Sequence, residues 1–183
     1  MANGITMMCL VQTRSMASLN KVYLIGMPGA GKSTFGVELA TSLGLPFIDL
    51  DQKIESEEGK TIKEIFKTKG EEYFRAIESQ LLFEITSVTD SFVMSTGGGT
   101  PCFHQGIEIM LQKGVVIYLE VPTNVLKERL EKTDLSERPK FKNKVDVYEQ
   151  LDDLFKQRQK IYKKADIVIQ ESALDCLDVI RKI

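Results

Sequence analysis

The octapeptide Gly26-Met27-Pro28-Gly29-Ala30-Gly31-Lys32-Ser33 constrains this chain most, because it satisfies G-x-x-x-x-G-K-[ST] in full. The apolar run Val22-Tyr23-Leu24-Ile25 precedes it. An amphipathic pattern with Phe35, Leu39, Ala40 and Leu43 on one face follows it. A strand that turns through glycines into a helix is the context such a loop requires. Glycines let the backbone curl until several N–H groups point inward at phosphate oxygens. The helix N-terminus adds the positive end of its dipole. Lys32 is expected on the terminal phosphates and the Ser33 hydroxyl on Mg²⁺. A nucleoside triphosphate with Mg²⁺ is therefore the expected ligand, held by Gly29, Ala30, Gly31, Lys32, Ser33 and Thr34.

The rest of the chain agrees with that start. Phe92–Met94, Val115–Leu119 and Ile167–Ile169 are short apolar runs of the kind that fill a parallel sheet buried on both faces. Pro46–Leu50 is a weaker strand candidate. Between the runs lie helical signals. Gly44 and Gly114 stand where helices stop. Thr61 with Glu64 forms a capping box, and Pro122 suits the first turn of a helix. This alternation predicts an α/β fold, a three-layer α/β/α sandwich with a parallel sheet. The length of 183 residues suits one domain.

Net charge and cysteine content narrow the class. A formal charge of −2 argues against a nucleic-acid partner, and no apolar run approaches a membrane span. Cys9, Cys102 and Cys176 are odd in number and widely spaced, and His104 is the only histidine. Neither a disulfide framework nor a zinc site is expected, and a reducing, cytoplasmic setting is. Residues 1–20 carry one charge, Arg14, and no apolar period, so they are expected to be a disordered extension. The domain is assigned to residues 21–183, and a monomer is expected.

Three features bear on what accepts the phosphate. Asp49 and Asp51 close the second strand candidate, where alternation would put both on one side. One could hold a metal through water and the other orient a hydroxyl proton. Ser95 and the triplet Gly97-Gly98-Gly99 follow the Phe92 run. The glycines permit close approach by a ligand, and the Ser95 hydroxyl could hold a metal-bound water. On a helix expected over Val147–Tyr162, Arg158 falls inside the apolar stripe, where a guanidinium needs an anion. Arg75 lies three residues before Glu78, which could orient it. Two arginines suit bidentate capture of a small carboxylate.

In these elements the chain from Lys21 onward resembles the shikimate kinase family. The matching sequences are GMPGAGKS, FIDLD at Phe47–Asp51, Phe74-Arg75-Ala76-Ile77-Glu78, STGGG at Ser95–Gly99, Arg138-Pro139, and Gln157-Arg158 with Tyr162. The resemblance implies a nucleoside-monophosphate-kinase-like P-loop fold with a five-stranded parallel sheet. It implies transfer of the ATP γ-phosphoryl group to the 3-hydroxyl of shikimate, a step of chorismate and aromatic amino acid biosynthesis. Asp51 would act on the reacting hydroxyl, with Lys32 and Arg138 as the other catalytic groups. Asp51, Arg75, Gly98 and Arg158 would hold shikimate. Ser33 would hold Mg²⁺, with Asp49 and Ser95 acting through water. Arg129 would stack on adenine. The substrate-binding region would span about residues 50–85. The polar, locally basic stretch 133–146 would be a lid whose Arg138 reaches the transferred phosphate.

Two rival classes share the phosphate loop. Asn143-Lys144-Val145-Asp146 reads NKxD, the guanine-specifying pattern of small GTPases, but no apolar strand precedes it. A kinase for gluconate or a nucleotide is closer, although the glycine triplet with Arg75 and Arg158 suits a carboxylate better.

Overall fold

The computed structural model describes residues 20–131 and 144–170, and side chains over 20–130 and 151–170. Five strands form one sheet: β1 (Lys21–Ile25), β2 (Phe47–Asp49), β3 (Phe92–Ser95), β4 (Val115–Glu120) and β5 (Ile167–Gln170). Their order is β2-β3-β1-β4-β5, and every pairing is parallel. Parallel neighbours need crossovers, and helices supply them. These are α1 (Lys32–Leu43), α2 (Leu50–Glu58), α3 (Ile62–Val88), α4 (Gly106–Lys113), α5 (Thr123–Glu131) and α6 (Lys144–Tyr162). Among the described residues no helix is long and apolar enough to cross a membrane.

The apolar runs become the central strands because both sheet faces are covered. Val22 through Ile25, Phe92 through Met94 and Val116 through Leu119 are each at most 1% exposed. Tyr23 meets Phe92 edge-on at 5.4 Å and donates its hydroxyl to Thr86 Oγ1 at 3.1 Å. Local signals behave as their chemistry dictates. Gly44 caps α1 in the left-handed region at φ 66°. The capping box forms in both directions, Thr61 N to Glu64 Oε2 at 2.9 Å and Glu64 N to Thr61 Oγ1 at 3.3 Å. Pro122 stands one position earlier than expected, with its carbonyl accepting from Leu126 N at 3.1 Å.

Two element boundaries differ from expectation, and one helix break is additional. The second strand stops at Asp49, and Leu50 already belongs to α2. Gly70, at φ 85° and ψ 173°, breaks α3 into two helical stretches. Helix α6 begins at Lys144, so the last residues of the expected lid, 144–146, are helical. The rest of that stretch, with Arg138, lies outside the described residues. So do residues 1–19, Cys9 and Cys176. Cys102 is a free, half-buried thiol.

Candidate functional site

The strand register brings the site together. Because β1, β2 and β3 run parallel, Leu24 and Asp49 both pair with Ser95. The carboxyl ends of all three strands therefore open onto one edge, the place where open α/β sheets bind ligands. A cleft of about 770 Å³ lies there, between the loop after β1, the loop after β3, α3 and α6.

One wall is the phosphate loop. Gly26, Gly29 and Gly31 adopt φ of 147°, 84° and 88°, conformations that a Cβ would strain. Ala30 turns its methyl into the core, and Ala30 N donates to Met27 O at 3.1 Å. Lys32 opens α1, and its ammonium donates to the carbonyls of Gly26 and Met27, both at 3.0 Å. Thr34, in the first turn of α1, also lines the cleft. Arg129, near the end of α5, donates through Nη1 to Gly29 O at 3.4 Å, which places it at the mouth of the loop.

Ser33 joins this wall to the floor. Its hydroxyl donates to Asp49 Oδ2 at 2.7 Å and lies 3.2 Å from Ser95 Oγ. Asp49 has a second task. It caps α2, with Oδ1 accepting from Asp51 N at 3.1 Å and Gln52 N at 3.3 Å. All these donors are oxygens, which suits Mg²⁺. Among the described residues no group of three or more His, Cys, Asp or Glu is arranged to hold a metal ion. A sparse protein donor set is usual for Mg²⁺, which keeps several waters and substrate phosphates.

The opposite wall is built from charged side chains. Arg75 on α3 is 7% exposed and Arg158 on α6 is 5% exposed. Arg75 donates to Glu78 Oε2 at 2.6 Å and, at longer range, to Glu71 Oε1. Glu78 in turn accepts from Thr100 Oγ1 at 2.6 Å, which fixes the loop after β3 to α3. Arg158 meets no carboxylate within ion-pair distance among the described residues. A buried guanidinium with no carboxylate beside it among the described residues is suited to bind an anion.

Asp51 stands between the walls. Its Oδ1 is buried and has no hydrogen-bond partner among the described residues. Burial, then the charges of Glu78 and Asp49, push its carboxyl from 3.8 up to about 6, against the pull of Lys32 and Arg75. A carboxyl so raised is suited to accept a proton near neutral pH. The expected sharing of one strand side with Asp49 is corrected here. The strand ends at Asp49, and Asp51 reaches the cleft from the first turn of α2.

The triplet Gly97-Gly98-Gly99 makes room mainly for the protein's own groups. An added Cβ at Gly97 would lie 2.8 Å from Glu78 Oε1 and 2.9 Å from Asp51 Oδ1. At Gly98 it would meet Pro28 at 2.9 Å and Arg158 Nη1 at 3.3 Å, and at Gly99 Arg75 Nη2 at 2.5 Å. Two contributors carried no role at the level of sequence. Tyr162 donates its hydroxyl to Gly98 O and touches Met27 Sδ at 3.8 Å, so it ties both loops to α6. Thr100 is the other. Tyr162 was visible as the end of the Gln157-Arg158 motif, whereas nothing local distinguished Thr100.

The site thus unites Lys32, Ser33, Asp49, Asp51, Arg75, Ser95, Gly98, Arg129 and Arg158 in one cleft. The Lys144–Asp146 part of the NKxD string is the start of α6. Asn143 and the residues immediately before it lie outside the described residues.

Comparison with known proteins gives the same assignment. The family model "Shikimate kinase" matches residues 28–183. The shikimate kinase of Persephonella marina is 40% identical over 90% of this chain and 97% of its own length. That of one Clostridium botulinum strain is 43% identical over 85% and 91%. Among solved structures, shikimate kinase from Acinetobacter baumannii in complex with shikimate superposes with a TM-score of 0.83. It is 34% identical and covers 91% of this chain and 93% of its own. A gluconokinase from Sinorhizobium meliloti, 15% identical with a TM-score of 0.52, shares the fold alone. With its five-stranded parallel sheet, its phosphate loop and most of its length matched, the chain belongs to the shikimate kinase family.

Proposed function

We infer that the protein transfers the γ-phosphoryl group of ATP to the 3-hydroxyl of shikimate, giving shikimate 3-phosphate and ADP. One observation carries the inference. A cleft that opens on a phosphate loop has two buried arginines and an unpartnered carboxylate oxygen on its far side. The arginines suit a small carboxylate, and Asp51 suits a hydroxyl beside it. Family membership, and the shikimate bound in the Acinetobacter baumannii relative, point to the same acceptor.

Phosphoryl transfer passes through a loose transition state, so positioning and charge neutralisation do most of the work. The loop N–H groups of Gly29, Ala30, Gly31, Ser33 and Thr34 hold the phosphates. Lys32 exchanges its two carbonyl partners for β- and γ-phosphate oxygens. Arg75 and Arg158 grip the carboxylate, and the Gly98 backbone lies against the ring. Asp51 Oδ1 accepts the hydrogen bond of the reacting hydroxyl and takes its proton as the bond to phosphorus forms. Ser33 would hold Mg²⁺, with Asp49 and Ser95 binding its waters. When bound, the ion supplies positive charge to the transferring oxygens. Arg129, at the mouth of the loop, packs against adenine. Residues 133–146 act as a lid whose Arg138 neutralises the phosphoryl group and whose closure excludes water. We assign the enzyme to the cytoplasm, as a monomer acting on small molecules.

A coupled assay for ADP release over shikimate, gluconate and AMP tests the inference. ATP turnover with shikimate alone is expected. Turnover with gluconate or AMP and none with shikimate would overturn it.

A further inference from the structure

Phe103 is an aromatic residue in an unusual place. It is 37% exposed, one of few large apolar side chains so open to solvent among the described residues. Its ring lies 4.5 Å from Arg75 Cζ, closer than the 4.9 Å of the neighbouring Phe74 ring. The ring is not part of the cleft lining, whereas Arg75 is. It therefore meets the guanidinium from outside the space a substrate would fill.

The loop that carries Phe103 is held in a costly conformation. Cys102 N donates to Gly99 O at 2.8 Å and Gly106 N to Phe103 O at 2.9 Å. Directly after Phe103, His104 and Gln105 adopt φ of 46° and 59°, which residues with a Cβ rarely do in succession. Gly106 then passes so close to the Thr100 carbonyl that a Cβ would lie 2.0 Å from it. Strain of this kind persists where surrounding structure enforces it, and it clusters at functional sites.

Arg75 has a use for such a neighbour. Only one of its hydrogen bonds is short, 2.6 Å to Glu78; those to Glu71, a 41% exposed side chain, are 3.3 and 3.4 Å. Its firm anchor is therefore a single carboxylate, at Glu78. A ring against its face, with Gly99 closing in as near as a glycine allows, restrains it further. An aromatic face attracts a cation while leaving the N–H edges free for an anion.

We propose that Phe103 is a positioning residue for Arg75: its ring fixes the guanidinium so that the N–H edge meets the acceptor carboxylate. This rests on the assignment of Arg75 to the carboxylate. The ring also keeps water from one side of the pair, which strengthens the charge contact.

Steady-state kinetics of Phe103→Ala, Phe103→Leu, Phe103→Tyr and Arg75→Lys, with thermal unfolding of each, form the test. Phe103→Ala raises KM for shikimate roughly 5- to 20-fold, as expected for loss of a partly desolvated cation–π contact. Its kcat and its KM for ATP stay within about twofold, the range of indirect effects. Phe103→Tyr keeps the face and restores KM, whereas Phe103→Leu, similar in bulk without a π-face, does not. Should Phe103→Ala fail to fold, the contrast between leucine and tyrosine decides. An unchanged shikimate KM in Phe103→Ala or Phe103→Leu, or equal loss on both substrates, overturns the proposal. Arg75→Lys separates the two levels. If it leaves shikimate KM unchanged, the carboxylate assignment fails; if it raises KM while the Phe103 variants do not, only the Phe103 proposal fails.

Discussion

Two glycine-rich loops face each other across the cleft, and they are rich in glycine for different reasons. In the loop after β1, Gly26, Gly29 and Gly31 all take positive φ; a Cβ on Gly26 would also press on Leu119 O at 2.8 Å, but on Gly29 and Gly31 it would meet nothing nearer than 3.5 Å. Conformation demands glycine there. In the loop after β3, Gly99 sits at an ordinary φ of −93°, open to any residue, but a Cβ would press into Arg75 at 2.5 Å. Space demands glycine there. The first loop bends a backbone so that its own N–H groups become the ligand. The second admits charged side chains from three helices. The phosphate wall is thus a local object, and the acceptor wall is assembled from distant parts of the chain.

That contrast can be broken or sharpened by substitution. The largest effect is expected from Arg158→Ala. Removing a buried guanidinium that faces an anion raises shikimate KM by about 100-fold, and ATP KM by less than about twofold. Unchanged shikimate affinity in a titration would return Arg158 to a structural role.

A pair of alanine substitutions comes next. Gly99→Ala displaces Arg75 without straining the backbone, so shikimate KM rises about tenfold while ATP KM holds, the size of losing one charge-assisted contact in part. Gly31→Ala strains the phosphate loop by about 1–2 kcal/mol and does the reverse. Both variants raising the same KM would show that the walls do not act separately.

The smallest effect is on stability. Asp51 has its carboxyl raised from 3.8 to about 6 in the folded protein, so its charge opposes folding. The cost is absent below the unfolded value and is reached in full above the folded one. Asp51→Asn removes it. In the ligand-free protein that variant unfolds at a higher temperature than the parent at pH 8, by more than about 1 kcal/mol. The gain fades as pH falls through 6 and vanishes near pH 4. A gain independent of pH would mean that shape, not charge, is responsible. The same variant loses turnover, since it cannot take the proton.

The difference between the walls also explains what could be read from sequence. Gly26 to Ser33 is contiguous and its chemistry resides in the backbone, so the string of letters is nearly the site itself. Arg158 was legible as a charge inside an apolar stripe, and Arg75 through its spacing to Glu78. Other parts were hidden because their meaning lies across the fold. Thr100 holds Glu78 from 22 residues away. Phe103, in a loop, acts on a residue of α3, and nothing near it marks the contact. The start of α2 at Leu50 was missed because Phe47–Asp51 alternates as a strand would, while Asp49 serves as a helix cap and so ends it. The break at Gly70 has no signature in the sequence, because helical propensity continues on both sides. Strand order was not legible either. It emerges only when β1 inserts between β3 and β4.

The central claim is that the acceptor wall recognises a carboxylate, and the unaltered enzyme can test it. Its kinetics with shikimate should be compared with those of shikimate methyl ester, which keeps the ring and hydroxyls but not the charge. A KM for the ester higher by about 100-fold, with ATP KM unchanged, is predicted for loss of two buried charge-assisted contacts. Equal KM values for the acid and the ester would contradict the account.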